Sequence, residues 1–574
     1  MEYSFTVFRR RICAGIIILS ALFAVVTVRL FVVQIVDGKE LRLKAVDQWT
    51  RELPLLAPRG RILDRNGVVL VDNESAYAVF VRPKTVEDVQ KTAVMLSEEF
   101  NLDCEKLLKK IQSNVSEYTV KRHISDEQYE RVKSFGLKGV YFSEDPVRFY
   151  PYGDFLTQTL GFVSYDNAGQ SGIEKQYDEI LKGKDGEMLY ETDIVGVEID
   201  GTGASYLPSV AGLDVTLTID YEIQQIVEQT MQIAYLTHSP KRAECIVLDP
   251  SSGEILAMAS KPSYDLNDIP RKNVALLNSL SRNGLIADNY EPGSTFKILT
   301  AAATLEEYFN GNPRAFSPNY VFNSSRYRTV LGRNIKCWRS HADGKHSNQT
   351  IKEALNNSCN PCFVDMALAL GKETFYSYIE KVNYGSKTGV DFVGEASGML
   401  IPEKAVTDGD LARIGFGQTI AVTPVHLASA TASVINGGKY YTPHLLKEVS
   451  SQKGVRVQTV APEVKRVTFS EKTSKLMASY LEGVVSEGSG KNAYIKGYKV
   501  GGKTGTAQKY ENGVIAQGKY VSSFVGFFPS DNPKYLALVI VDEPEGQHYG
   551  SVVAAPYAKT IFEGIIGVKK INKT

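Results

Sequence analysis

Three short stretches of this chain carry residue types suited to acyl transfer. The first is Glu291-Pro292-Gly293-Ser294-Thr295-Phe296-Lys297. A serine hydroxyl is a weak nucleophile until a neighbouring base takes its proton. Pro and Gly precede a long amphipathic run over 298–309, which places Ser294 at a helix start. Residues three apart share a helix face, so Lys297 lies near the Ser294 hydroxyl. Neutral lysine serves as a base when burial or a nearby cation lowers its pKa. The helix start also offers backbone N–H groups to a developing oxyanion. The spacing alone is weak, because Ser450 and Lys453 share it in a segment without a helix signal. The plain alternative for Ser294 is an N-cap followed by a solvated lysine.

The second stretch is Ser358-Cys359-Asn360. Helical sequence ends near Asn357, and Pro361 opens the next helix, so the triplet falls at a helix–helix junction. A hydroxyl there relays a proton and an amide orients the lysine or a substrate amide. Ser281-Arg282-Asn283, Ser317-Pro318-Asn319 and Ser530-Asp531-Asn532 match equally well, and a capping role is the ordinary reading of each. The third stretch is Gly501-Gly502-Lys503-Thr504-Gly505-Thr506, which reads as strand. Glycines in a strand let a ligand approach the backbone, and Lys503, Thr504 and Thr506 suit a carboxylate. Lys387-Thr388-Gly389 has similar letters between loop-like segments and reads as structural.

The elements that must position these residues follow from length and patterning. A chain of 574 residues exceeds one core, so at least two domains are expected. Lys and Arg total 65 and so do Asp and Glu, which gives no overall electrostatic case for nucleic acid. The six cysteines are too sparse for a disulfide scaffold. Cys359 and Cys362 form a C-x-x-C pair with no second such pair, and no H-E-x-x-H occurs, so no metal site is expected.

Arg9, Arg10 and Arg11 precede an apolar run over 12–28 that resumes over 30–36. It is long enough to cross a bilayer of about 30 Å, with Arg29 snorkelling to the far interface. The basic flank predicts an inside N-terminus and an outside bulk. A cleaved signal peptide is the rival reading, since small residues near Ala21 and Ala24 permit it. A polar helix is expected over 39–53, a hairpin at Asn66-Gly67, and helices over 86–101 and 102–113. From residue 213, strands at 214–219, 245–249, 255–260, 520–528 and 535–541 enclose helices. This predicts one mixed α/β domain whose two ends meet in a single sheet.

S-x-x-K, S-x-N and K-T-G in this order recur in penicillin-binding proteins and serine β-lactamases. The chain resembles the class B penicillin-binding proteins, the monofunctional D,D-transpeptidases, and within them the division and sporulation branch. The resemblance runs over nearly the whole length. Arg59-Gly60-Arg61, Asp64-Arg65 and Gly67 resemble the start of the family's pedestal domain. Gly161-Phe162-Val163, Gly172-Ile173-Glu174, Tyr177-Asp178 and Gly183 resemble its later landmarks, and Gly417-Gln418 with Val422-Thr423-Pro424 a transpeptidase segment. Two departures are the lack of C-terminal PASTA repeats and the cysteine inside the second motif.

This resemblance implies a cytoplasmic tail (1–11), a transmembrane anchor (12–36), an elongated α+β pedestal of dimerisation type (37–211) and a transpeptidase domain (212–568). The last is expected as an antiparallel sheet with helices on both sides, as in serine β-lactamases. It implies peptidoglycan stem peptides ending in D-Ala-D-Ala as substrates, β-lactams as covalent inhibitors, no cofactor, and a polytopic SEDS-type glycan polymerase as partner. It assigns Ser294 as nucleophile, Lys297 as base, Ser358 as proton relay and Asn360 as orienter. Lys503, Thr504, Gly505 and Thr506 take the carboxylate, and the backbone N–H groups of Ser294 and Thr506 form the oxyanion hole. Cys359 then lies inside the site, with Cys337 across the intervening loop as a disulfide partner or as a second buried thiol. A D,D-carboxypeptidase, a β-lactamase or β-lactam sensor, and an idle scaffold are the rival readings.

Overall fold

The computed structural model describes residues 5–41, 50–115, 117–191, 205–323, 325–339, 344, 346–511 and 514–573. Two apolar runs early in the catalytic half form a hairpin, β1 (Arg242–Leu248) and β2 (Ile255–Lys261). The turn closes because Gly253 adopts φ +80° and Asp249 accepts a hydrogen bond from the Ser251 N–H. Three late strands follow: β3 (Gly501–Glu511), β4 (Val514–Phe528) and β5 (Tyr535–Asp542). The five align in the order β2-β1-β5-β4-β3, with every pairing antiparallel. Cys245 lies opposite Val539, so the two ends of the domain meet in one sheet, as expected.

Both faces of this sheet are buried, in period-two alternation. Cys245 and Val247 face one apolar cluster with Phe524 and Val539. Ile246 and Leu248 face another with Val525 and Leu538. The first face is covered by α2 (Tyr221–His238), through Ile223 and Val227, and by α6 (Ala555–Lys569), through Ile561 and Phe562. The segment Gly550–Lys569 is long and apolar enough for a membrane span, but its inner face is core. The second face carries the helix Pro424–Ile435, against β1 and β5, and its apolar cluster extends to α3 (Lys297–Phe309), α4 (Ile351–Asn357) and α5 (Asn360–Leu370) through Leu305, Leu355 and Phe363. Helices on both sides of an antiparallel sheet match the expected fold class.

The chain divides into two compact units. One contains 1–58, 74–147 and 183–211, and the other 59–73, 148–182 and 212–574. A single boundary at 211/212 misses this interleaving. A buried charge cluster joins residues 59–73 to 148–182, and separate contacts hold these segments on the catalytic half. Arg59 Nη2 meets Glu174 Oε2 at 2.8 Å and Arg148 Nε meets Glu174 Oε1 at 2.6 Å, with all three side chains at most 1% exposed. Arg59 Nη1 also reaches Asp178 at 2.7 Å. Ile62 pairs in parallel with Val215, and Arg61 meets Asp214 at 2.6 Å.

In the first unit, Tyr77–Val81 lies between Tyr118–Ile124 and Val140–Glu144, both antiparallel to it. The two expected helices are Val89–Phe100 and Cys104–Ile111, capped by Asp88 and Asp103. Leu96, Phe100 and Leu107 share a core with Val79 and Ile124. The helix expected over 39–53 needs correction. Residues 38–41 are helical and 42–49 lie outside the described residues, but Thr50–Leu55 is a strand paired with Gly186–Glu191. Its partner is remote in sequence, so local polarity gave no sign of it.

The N-terminal α1 (Phe5–Phe31) continues through a wider turn, Val32–Val36, with no buried side chain and a mean hydropathy of 2.7. The apolar run 12–36 lies within it, and it fits a membrane anchor.

Candidate active site

Ser294 sits in a tight 3-10 turn, Gly293–Phe296, that leads directly into α3. In 3-10 geometry, residues three apart eclipse, which brings Lys297 under Ser294. Gly293 makes the entry at φ +54°, with its N–H bonded to the Gly417 carbonyl at 2.9 Å. Lys297 is fully buried. Its Nζ donates to Ser294 Oγ at 3.2 Å, Ser358 O at 2.8 Å, Ser358 Oγ at 3.2 Å and Asn360 Oδ1 at 2.6 Å. The Phe363 ring lies 5.2 Å from the ammonium. Asn360 Nδ2 donates to the Lys336 carbonyl at 3.2 Å, which turns its oxygen toward the lysine.

The second motif is the kink between α4 and α5. The N-terminus of α4 is closed by a Thr350–Glu353 capping box, and the helix stops where Ser358 enters the left-handed region at φ +54°. Cys359 precedes α5 and Pro361 occupies its first turn. This reversal brings both Ser358 oxygens to Lys297 and presents Ser358 Oγ to Lys503 on β3, whose Nζ donates to it at 3.0 Å. Lys503 also bonds the Thr504 carbonyl at 3.3 Å. β3 is an edge strand, so one of its sides is open to pair with an incoming extended chain. Gly505 is required where β3 passes the serine turn. A Cβ there would lie 2.4 Å from Ser523 Oγ and 3.0 Å from Thr295 Cγ2.

The electrostatics follow from burial. Loss of water pushes Lys297 down to about 8, with Cys337, Cys359 and Cys362 acting weakly the other way. Lys503 is pushed well below the usual lysine range, first by burial and then by the charge on Lys297. Two ammonium groups sharing one hydroxyl oxygen disfavour double protonation. The cluster therefore combines a hydroxyl, a lysine able to be neutral, and a second hydroxyl wired to a second lysine. That set can move a proton from Ser294 toward a leaving group at Ser358.

Ser294, Ser358, Asn360, Thr504, Gly505 and Thr506 open onto a cavity of 390 Å³. The eight residues expected to form the site are thus brought together. Lys503 differs in placement: it was expected on the carboxylate-binding face, yet it is fully buried behind Ser358 and Thr504. The look-alike motifs lie elsewhere. Ser450 ends a strand, Leu446–Ser450, and Thr388 is locked to the Glu395 carboxylate through its N–H and hydroxyl. Sequence reasoning missed Trp338, Tyr520, His548 and Tyr549 in the cavity wall, where the Tyr520 and His548 rings stack at 4.0 Å. They come from separate loops and strands and share no spacing. Gln418, also in the wall, had its signal in Gly417-Gln418.

Behind the second motif, Cys337 Sγ is 4.0 Å from Cys359 Sγ and 3.6 Å from His346 Nδ1, and all three side chains are buried. The described cysteines are all thiols. Such a soft N/S set can hold a transition metal.

The family model of the penicillin binding protein transpeptidase domain matches residues 244–563, and that of the penicillin-binding protein dimerisation domain matches 54–217. The chain belongs to the penicillin-binding proteins. This penicillin-binding protein is 39% identical over 566 residues to stage V sporulation protein D of Bacillus subtilis, covering 98% of this chain and 86% of that one. It is 28% identical to peptidoglycan D,D-transpeptidase FtsI of Escherichia coli, covering 90% and 84%. Its fold is shared with a peptidoglycan synthetase from Bifidobacterium adolescentis (TM-score 0.74, 23% identity, 92% and 98% covered). It is shared too with penicillin binding protein 3 of Mycobacterium tuberculosis in complex with aztreonam (TM-score 0.69, 22% identity, 91% and 98% covered).

Proposed function

We propose that this chain is a membrane-anchored peptidoglycan D,D-transpeptidase that works through an acyl-enzyme on Ser294. The observation that carries the proposal is the buried Lys297 ammonium held within hydrogen-bond reach of Ser294, Ser358 and Asn360 at once. In its neutral form Lys297 accepts the Ser294 proton as Oγ attacks the penultimate D-Ala carbonyl of a stem peptide. Backbone N–H groups of Ser294 and Thr506 take the oxyanion. Ser358 gives its proton to the departing D-Ala nitrogen and is reprotonated from Lys297, with the Lys503 charge behind it. Asn360 orients the lysine and the substrate amide. Thr504 and Thr506, beside Gly505 and in front of Lys503, hold the terminal carboxylate. An amine from a neighbouring stem then attacks the ester and its proton returns along the same path. A β-lactam mimics the dipeptide and stops at the acyl stage.

The segment layout supports an inside tail at the N-terminus, a single crossing by α1 and a catalytic domain outside, where stem peptides lie. Residues 37–211 read as the pedestal and 212–568 as the transpeptidase domain, with 59–73 and 148–182 packing against the latter. The family resemblance extends to a SEDS-type polymerase meeting the anchor and pedestal, and co-purification with and without α1 tests it.

Fluorescent penicillin is expected to label the wild type and to leave Ser294→Ala unlabelled, and normal labelling of that variant would sink the proposal. Incubation with stem-peptide substrate should yield D-Ala together with cross-linked product. Release of D-Ala without cross-links marks a carboxypeptidase, and rapid turnover of penicillin marks a β-lactamase.

A further inference from the structure

Three of the six cysteines, Cys337, Cys359 and Cys362, are buried within one small region beside the second motif, together with the buried His346. None of these four side chains has a part in the acyl-transfer scheme. The ligand atoms of Cys337, His346 and Cys359 are spaced like three corners of a coordination tetrahedron. Zinc bonds to thiolate sulfur at about 2.3 Å and to imidazole nitrogen at about 2.0–2.1 Å. The tetrahedral edges that follow are about 3.8 Å for S···S and about 3.5 Å for S···N. The observed edges are 4.0 Å for Cys337–Cys359 and 3.6 Å for Cys337–His346, and the ligand atoms of all three residues lie within 4.8 Å of one another.

We propose that Cys337, His346 and Cys359 hold a zinc ion, with Cys362 as the fourth donor. Cys362 lies one turn into α5, and its thiol is in hydrogen-bonding contact with that of Cys359. The donors are two or three thiols and an imidazole without a carboxylate, which selects zinc over magnesium or calcium. A sequence search for two C-x-x-C pairs misses this set, because it joins one such pair to a cysteine and a histidine from the preceding loop. The metal displaces the thiol protons, which leave to solvent as the thiolates coordinate, so burial of the thiols is no obstacle.

The ion has a definite place in the architecture. Cys337 directly follows the strand Arg333–Lys336, and Cys359 is the residue between Ser358 and Asn360. Zinc therefore ties the α4–α5 kink to the hairpin from which Lys336 already holds Asn360. A structural zinc contributes its binding energy to folding, and here that energy fixes Ser358 and Asn360, two of the side chains that contact Lys297. A disulfide between Cys337 and Cys359 uses the same sulfurs and excludes the metal.

The inference is independent of the acyl-transfer reading, since metal content and penicillin labelling are measured separately. The full chain is purified in detergent under anaerobic, reducing conditions, and its metal is quantified. About one zinc per chain is expected, retained against a chromophoric chelator of moderate affinity. Replacement by cobalt should give thiolate-to-metal charge-transfer bands and the intense visible bands of tetrahedral cobalt. Cys337→Ser and His346→Ala should each weaken zinc binding by at least about tenfold, while Cys245→Ser, within the sheet, retains it. The wild-type metal content and cobalt spectrum decide the matter even if a variant fails to fold. A wild-type protein that takes up neither metal overturns the proposal. So does recovery of Cys337 and Cys359 as a disulfide from the anaerobic preparation, or full zinc binding by both variants.

Discussion

Among the described residues, the close partners of Lys297 include no carboxylate. Its Nζ meets two hydroxyls, a carbonyl and an amide oxygen, and burial brings its pKa down to about 8. The neutral amine is the form that accepts the Ser294 proton, so reactivity follows the deprotonated fraction. β-Lactam acylation is accordingly expected to rise with pH, about tenfold per unit below 8, and to level off above it. Stopped-flow acylation rates across this range check the sign, and a flat or falling profile would refute the role of Lys297. Lys297→Ala should slow acylation by about 10²–10⁴-fold. The pairing of Ser294 with Lys297 was legible in the sequence because a helix start and a three-residue spacing are local properties. The burial of Lys503 was not, because it depends on the helices packed over β3. The cavity wall of Trp338, Tyr520 and His548 was equally hidden, since those residues meet only through the tertiary fold.

At the level of elements, the site is a meeting of three ends: the turn before α3, the kink between α4 and α5, and the edge strand β3. The contact between the first and the third is close enough to forbid a side chain at position 505. Gly505→Val is expected to push β3 from the Ser294 turn, costing about 1–3 kcal/mol and most of the acylation rate. Urea unfolding and penicillin labelling measure the two effects, and unchanged values for both would show that β3 tolerates the displacement. Most of these elements were readable from periodicity and punctuation. Asp249 to Gly253 marked the hairpin, and the apolar runs of β1, β4 and β5 marked strands of one sheet, while helices on both of its faces were expected from the family resemblance. Thr50–Leu55 escaped because its strand state comes from Gly186–Glu191, far along the chain.

For the whole molecule, the Glu174 cluster ties residues 148–182 to 59–73, the segment that Arg61–Asp214 and Ile62–Val215 join to the catalytic half. Removing the carboxylate leaves two buried guanidinium groups without their central anion. Glu174→Ala should therefore cost about 3–5 kcal/mol, read as a lower denaturation midpoint. A loss below about 1 kcal/mol would show that the cluster is incidental. The landmark residues at 59, 174 and 178 were visible in the sequence, but their partnership was not, because ion pairs leave no periodic trace.

The strand order has a consequence in time. β5 is the last strand synthesised, yet it stands in the middle of the sheet, between the hairpin β2-β1 and the hairpin β4-β3. Until it arrives, the half-sheet following α2 and the half-sheet bearing Lys503 have no shared neighbour. A growing chain thus passes much of the second half of its synthesis with Ser294 already made but chemically silent. Arrested nascent chains of increasing length, challenged with fluorescent penicillin, should stay dark up to Tyr535 and gain label only once Asp542 has cleared the ribosome. Earlier labelling would show that the two half-sheets assemble without their wedge.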